Sequence, residues 1–376
     1  MCDHSPVKAP SSPPSGESPT ERDAKSPVFA AEFKDAVTLR AFGLVLGGLL
    51  VQLAFIVSYV GAFHSPTPHR IAVAVAAPQQ ASAKIVAQLD ALSGNPVEAT
   101  AAPSTETARQ WVLTRKADAA LLFDASGTKD TLLVASAGGP SVSQTATQIA
   151  QKIETAQKRQ ITVSDIRPPN AGDGRGMTSF YLVVGWVIGG YLTATIMGMA
   201  AGSRPANRQR TLIRLAVLAL YALVSGIAGA AVVGPVFGAL DGHFWALSGI
   251  GALVVLASAA TALALQTLLG LLGTGVVILL FVVLGNPSSG GVYPAPLLPA
   301  FWSAIGQALP PGAGTTLVRN TVYFSGHAVT AALWVLGAYA VGGALLAWAA
   351  SWRNERRHPD APATEPETLP ESSPAG

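Results

Sequence analysis

The chain has 376 residues, of which 50% are hydrophobic and only 12% charged, with a formal net charge of +3. That balance excludes a soluble protein and points to a polytopic α-helical membrane protein. Cys2 is the only cysteine, so no disulfide is expected within a folded domain; no cofactor and no nucleic-acid partner is expected either.

Residues 1–27 are rich in proline and serine and lack apolar periodicity, which predicts a disordered tail. They also lack the short apolar core and cleavage site of a signal peptide. Over residues 28–40, Ser26 offers a helix cap with Pro27 at the first position. Phe29, Phe33, Ala36 and Val37 then share one face, opposite Glu32, Lys34 and Asp35. This pattern suits a helix lying along the membrane surface, and equally a plain extension of the first membrane helix.

A hydrocarbon core about 30 Å thick needs about 20 apolar residues per helix. Residues 41–63 carry no charge and supply the first span. Residues 64–178 follow as a polar domain. Ile71, Val73 and Val75 alternate as in a strand, Ile85, Leu89 and Leu92 recur at helical spacing, and a strand fits 97–100. Ser104 can cap a helix through Ala108, Trp111 and Val112, with strands at 119–123 and 131–135. Ser141 and Gln144 have capping-box spacing before Val142, Ile149 and Ile153, and a last strand at 161–166 leads to Pro168 and Pro169. The order predicts a small α/β layer around one core. Its His64, His69, Asp90, Glu98, Glu106, Asp118, Asp124, Asp130, Glu154 and Asp165 stand at neither metal-ligand nor triad spacing, and Ser126-Gly127 lacks the nucleophile-elbow frame. No enzyme is expected.

Residues 179–352 form a five-helix block with spans at 179–201, 212–236, 244–268, 269–285 and 328–352, for six membrane helices in all, the α/β domain lying between helices one and two. Thr267 to Gly270 leave only a tight uncharged turn between the fourth and fifth spans. Lys25, Lys34 and Arg40, then Arg204, Arg208, Arg210 and Arg214, then Arg353, Arg356 and Arg357 fall on one side of such a topology. By the positive-inside rule that side is the cytoplasm, with both termini inside and residues 64–178 outside the plasma membrane. Residues 353–376, with alternating proline and glutamate, read as a second disordered tail.

No phosphate-binding loop of the G-x-x-x-x-G-K-[ST] type occurs. The spans contain no Asp, Glu, Lys or His away from their ends, which disfavours an ion-coupled pump. Gly43 and Gly47, Gly185 and Gly189, and Gly198 and Gly202 are small-residue pairs suited to helix packing. Tyr181, Trp186, Trp245, Trp302, Trp334 and Trp352 read as an aromatic belt near the boundaries. Between the last two spans, residues 286–326 are broken by prolines into two short helices, one starting at Pro299 with Phe301, Trp302, Ile305 and Leu309, the other at about 315–324. These are expected as a re-entrant or interfacial hairpin at the outer leaflet. Arg319 is its one charge, facing either a lipid phosphate or water.

This layout, together with RIAVAV at 70–75, RKADAALLF at 115–123 and the proline-rich segment just described, resembles the type-2 family of ABC transporter permeases, most of all its phage-infection-protein-like branch. The resemblance covers nearly all of the chain except the tails. It implies a permease half that pairs with a second permease, as a homo- or heterodimer in the lipid bilayer, and with a separate ATPase subunit to export a lipid, drug or peptide-like amphiphile. The ATPase contact would fall on residues 29–40, with Phe29 and Phe33, and on residues 203–210, with Arg204, Arg208 and Arg210. Residues 203–210 are short and polar for a coupling helix. The competing expectation is a receptor or assembly scaffold whose outside domain binds a partner.

Overall fold

The computed structural model describes residues 38–270 and 272–357; both terminal tails up to those limits, and with them Phe29 and Phe33, lie outside the described residues. Helix α1 is Leu39–Phe63. Contacts divide the chain at Ala54/Phe55; everything below concerns the unit from Phe55 onward.

The α/β domain carries β1 (Ile71–Ala76), α2 (Gln79–Asp90), β2 (Val97–Ala102), α3 (Thr105–Leu113), β3 (Ala119–Leu122), β4 (Lys129–Val134), α4 (Pro140–Ala156) and β5 (Gln160–Asp165). Its sheet has the order β2-β1-β3-β4-β5, parallel except for the antiparallel β3/β4 pair. Parallel crossovers are right-handed. The chain moves one way across the sheet from β1 to β2 and the other way from β2 to β3, so α2 and α3 lie on opposite faces. The β4-to-β5 crossover, on reversed strands, returns α4 to the face of α2. The packing follows this division. Ile71, Val73, Val75, Leu121, Leu132 and Val134 meet Leu89 of α2 and Val142 and Ala146 of α4. Ala74, Ala76, Ala120 and Leu133 meet Ala108 and Val112 of α3 and continue without a break into the core of the helical block. Alanines dominate this second face, and their small side chains let the block approach the sheet closely.

Two helix starts differ in cause. The Ser104 hydroxyl accepts from Thr107 N at 3.1 Å, as an N-cap should. The expected capping box at Ser141 is absent: α4 starts one residue earlier with Pro140 at its first position, where no N–H is needed, and the Ser141 hydroxyl donates to Val292 O at 3.2 Å.

The helical block comprises α5 (Thr178–Ala201), α6 (Arg208–Ala231, continued by a wide π turn over Val232–Val236), α7 (Phe244–Leu269), α8 (Leu272–Ile278, running on through π-helical Leu279–Gly285 to Ser288), α9 (Ala300–Gly306), α10 (Pro310–Tyr323) and α11 (Thr330–Arg357). Among the described residues five helices, α1, α5, α6, α7 and α11, are long and apolar enough to cross a membrane, which makes this a polytopic membrane protein. The fifth expected span is shorter than the others, an apolar helix over Leu272–Ser288. Helix α11 runs on to Arg357, so the residues after Trp352, expected in a disordered tail, are helical as far as Arg357. Glu355 pairs with Arg208 there at 3.0 Å, and the Arg356 guanidinium stacks 3.9 Å over the Trp352 ring.

Helix α7 is the centre of the block: 61% of its apolar window is buried, against 28% for each of α5, α6 and α11. A β-carbon on Gly190, Gly226 or Gly343 would run into α7 backbone, so all three neighbours approach α7 at glycine, as close packing in lipid requires. Gly185, by contrast, faces open space.

The two ends of the block are chemically different. At one end Arg214 donates to Gly202 O (2.8 Å) and Ala201 O (2.6 Å), Arg204 reaches Leu268 O (3.4 Å), and Arg208 meets Glu355. Arg214 and Arg204 satisfy helix C-termini, where carbonyls lack partners, while Arg208 pairs with a carboxylate. At the other end Asp173 accepts from Thr178 N (2.9 Å) at the start of α5, Asn170 donates to Ala239 O (3.2 Å), and Tyr323 donates to Asp173 (2.7 Å). The α/β domain joins the block at this second end.

Candidate functional site

Between α5 and α6, at the end that carries the α/β domain, lies a lateral groove of about 680 Å³. Glycine at 185 and 229 removes side chains from its walls, and Trp186 forms its floor. Trp186 is buried, its indole N–H donating to Ser225 O at 3.1 Å and its ring resting on Gly229 and Gly251. It therefore belongs to the packing of three helices and not to the aromatic belt expected from sequence. Tyr181 and Phe237 are exposed on the rim, as are Trp245 and Trp334 elsewhere on the block.

The groove runs along α6 to where that helix stops being regular, at Val232 and Val233. Pro235 has no N–H to give, and the turn over Val232–Val236 widens to π geometry. Phe237 N and Gly238 N close it onto Val232 O (3.1 Å) and Gly234 O (2.7 Å). The sides of the groove are mostly apolar, with Ser225 on α6 and Tyr181 at the rim, and its domain-side end, between Gly172 and Ala239, carries Thr178, whose hydroxyl donates to the buried Asp173 at 2.7 Å. No charged side chain lines it. Such a slot accepts a hydrocarbon chain along its length and a hydrogen-bonding group at one end.

Directly beside it is the junction between domain and block. Arg319 is the charged centre of this junction. It is only 5% exposed, and donates from Nη1 to Gly290 O (3.1 Å) and Gly138 O (3.4 Å); its Nε and Nη2 have no partner. It faces neither water nor a lipid phosphate, because α10 packs into the block and turns the side chain toward the tight turn Ser136–Gly138. Arg115 comes to the same Gly138 from the domain side, stacks 4.8 Å over Phe324, and stands 3.7 Å from Asp118. The other expected hairpin residues lie on α9: Pro299 is its N-cap, Phe301 is exposed, and the Phe301 and Trp302 rings meet edge to face at 5.0 Å. The structure thus brings Arg319 to the domain junction and leaves Phe301 on the surface.

At the opposite end, the expected partner contact is assembled differently from a protruding helix. Residues 202–207 link α5 to α6 without helical structure, and Asn207 caps α6 by accepting from Arg210 N (2.9 Å). Arg204 and Arg208 are engaged as described above, while Arg210 is exposed. Among the described residues no three His, Cys, Asp or Glu side chains gather in a way that could hold a metal ion.

Asp173, Tyr323 and Arg115 carry the junction, Trp186 lines the groove, and Pro235 lies in the π turn at its end; none stands out in the sequence as a site. The one available signal was Pro235 inside an otherwise unbroken apolar span. No model of a known protein family, no curated protein and no solved structure matches the chain.

Proposed function

We propose that the chain is a permease subunit of the type-2 ABC exporter kind, moving an amphiphilic substrate such as a lipid, a drug or a peptide-like molecule out across the plasma membrane. The observation that carries this reading is the lateral groove between α5 and α6, uncharged and mostly apolar along its sides, with Thr178 where it meets the α/β domain. A groove open sideways admits a substrate from the bilayer, and the polar end receives its head. The chain crosses the membrane six times in this reading, with Leu272–Ser288 as the short fifth crossing. Support comes from the hydrogen bonds: α7 ends beside Arg204, whereas the segment after α8 reaches Arg319 and Gly138 at the opposite end. The arginine-rich end then faces the cytoplasm with both termini, and the α/β domain faces out. Because α7 fills the centre of the block, the path runs along the surface of the subunit, which calls for a second permease copy and an ATPase as energy source.

In cells making the chain, export of a short-chain fluorescent phospholipid or of ethidium should exceed that of cells lacking it. Gly185→Leu, placed where a side chain meets nothing within 4 Å, should fill the groove and abolish the gain without unfolding the protein. Equal export with and without the chain, or full export by the leucine variant, refutes the reading.

A receptor or assembly scaffold is the second reading, and one observation favours it. The link between α5 and α6 has no helix to offer an ATPase, and Arg208 is held by Glu355. On this reading the partner binds residues 64–178, and no ATPase copurifies.

A further inference from the structure

The sheet of the α/β domain has two free edges, β2 and β5, and only one of them is closed. Ile71 N donates to Pro96 O, so the odd-numbered residues of β2 turn their backbone groups away from β1. On that side the Ala99 N–H is taken by Asp90 Oδ1 at 2.8 Å, and Glu98 pairs with Arg70 at 3.0 Å. A capped edge N–H and a charged pair keep a strand from recruiting another.

The β5 edge has no such protection. Gln160 N and Ile166 N donate inward, to Thr128 O (2.8 Å) and Val134 O (2.9 Å). By the same alternation Ile161, Val163 and Asp165 present N–H and C=O outward, and among the described residues no side chain bonds to them. The strand, QITVSD, holds no lysine, proline or bulge. Among the large apolar side chains of residues 64–178 only Val163 is exposed, at 40%. Val163 and Asp165 also form one wall of a groove of about 490 Å³, facing Ser143, Gln144, Thr147 and Gln148 of α4. Asp165 is the one charged residue that lines it. The open edge, the exposed valine at its middle and the groove beside both therefore coincide on one strand.

A second copy of the chain does not fit this edge. Strand β5 ends at the junction with the block, where Asn170 donates to Ala239 O at 3.2 Å. A copy inserted the same way in the bilayer runs its β5 in the same direction, so the two edges cannot form an antiparallel ladder.

We propose that β5 takes an extended segment of a partner protein as a sixth, antiparallel strand. In such a ladder Ile161, Val163 and Asp165 each exchange two hydrogen bonds with the residue opposite, and side chains directly opposite share a face. The chemistry of the partner follows: a cation facing Asp165, then, two and four residues on, apolar side chains facing Val163 and Ile161. Main-chain bonds supply the affinity, and the alternate side chains the choice of sequence. The site rests on the α/β domain alone and stands independently of the permease reading.

The probe is the heptapeptide SKTVTIS, fluorescein-labelled and titrated onto the full chain in lipid nanodiscs, with its lysine, valine and isoleucine opposite Asp165, Val163 and Ile161. Saturable binding below about 1 mM is expected, with slowed amide exchange at Ile161, Val163 and Asp165 and no change at Ala99. A peptide carrying N-methylvaline keeps the side chain, lacks the central donor and should bind at least about tenfold more weakly. Glutamate in place of the lysine should weaken binding about fivefold. Val163→Lys places a charge on the edge and should abolish binding, while unchanged exchange in β1 and β3 reports an intact sheet. No saturable binding, protection away from β5, equal binding of the N-methyl or the glutamate peptide, or undiminished binding to Val163→Lys overturns the proposal. So does protection of β5 that rises with chain concentration in the absence of peptide, the mark of a second copy.

Discussion

Glu154→Gln should stabilise the α/β domain at alkaline pH and leave it nearly unchanged in mild acid. Burial, then the hydrogen bond and negative charge of neighbouring Asp130, push the Glu154 carboxyl from 4.5 up to about 7, against a smaller opposing pull from Arg159. Asp130, Arg159 and Asp124 are the charged groups in its cluster. In the unfolded chain the carboxyl ionises near 4.5, while in the folded domain it holds its proton until about 7. The folded state therefore binds more protons across that window, and stability falls as pH rises through it. The contribution is fully present below about pH 4.5 and lost above about pH 7. At roughly 1.36 kcal/mol per pH unit, that window corresponds to about 3 kcal/mol. Glutamine is neutral throughout, so it removes the slope. Hydrogen exchange of β4 and α4 amides, compared between variant and native protein at each pH, reads the difference directly. At pH 8 the variant should gain about a hundredfold in protection, and at pH 4 about none. Equal protection at pH 8, or a loss at both values, would refute the argument that Glu154 is a strained carboxylate.

Other substitutions test the packing and the junction. Gly251→Ala would drive a methyl group into the Trp186 ring and Gly226 and should cost about 1–3 kcal/mol in thermal unfolding, whereas Gly249→Ala, with open space around it, should be neutral or stabilising by up to about 1 kcal/mol. Arg319→Met leaves Gly138 O and Gly290 O without this donor; a loss of about 1–2 kcal/mol is expected, with faster amide exchange at Ser136–Gly138 and none of that change in β2. The Arg208–Glu355 pair is 46% and 40% exposed, so a double-mutant cycle with alanine should return a coupling below about 1 kcal/mol that vanishes in high salt.

The α/β domain is legible in the sequence because its helices have a wet side and a dry side and its first strand alternates large with small apolar residues. Period-two alternation at Ile71, Val73 and Val75, and helical spacing at Ile85 and Leu89, record which side is which, and Ser104 marks a helix start that the structure uses. Ser141 has the same motif chemistry but loses to Pro140, which fixes the first helical position; its hydroxyl instead serves Val292, more than a hundred residues away, and no local pattern encodes that. The membrane helices are legible only as lengths. In lipid both the packed and the exposed faces of a helix are apolar, so Trp186 in the core and Trp245 on the surface look alike in sequence, and the groove between α5 and α6 leaves no periodic trace.

Arg319 illustrates the deeper limit. A lone cation in an apolar, proline-broken segment has to be satisfied, and sequence reasoning looks for a carboxylate, a phosphate or water. Its hydrogen-bond partners are the carbonyls of Gly138 and Gly290, groups every residue carries and none advertises. Both lie at glycines, and a β-carbon at Gly138 would collide with Arg115. The junction is therefore specified jointly: the arginines need exposed backbone, and the glycine leaves it bare. A side chain at Gly138 should thus displace Arg115 and Phe324 and disturb the same junction that Arg319 holds through the Gly138 carbonyl, and because the two sites are in contact the combined substitutions should not cost the simple sum of the single ones.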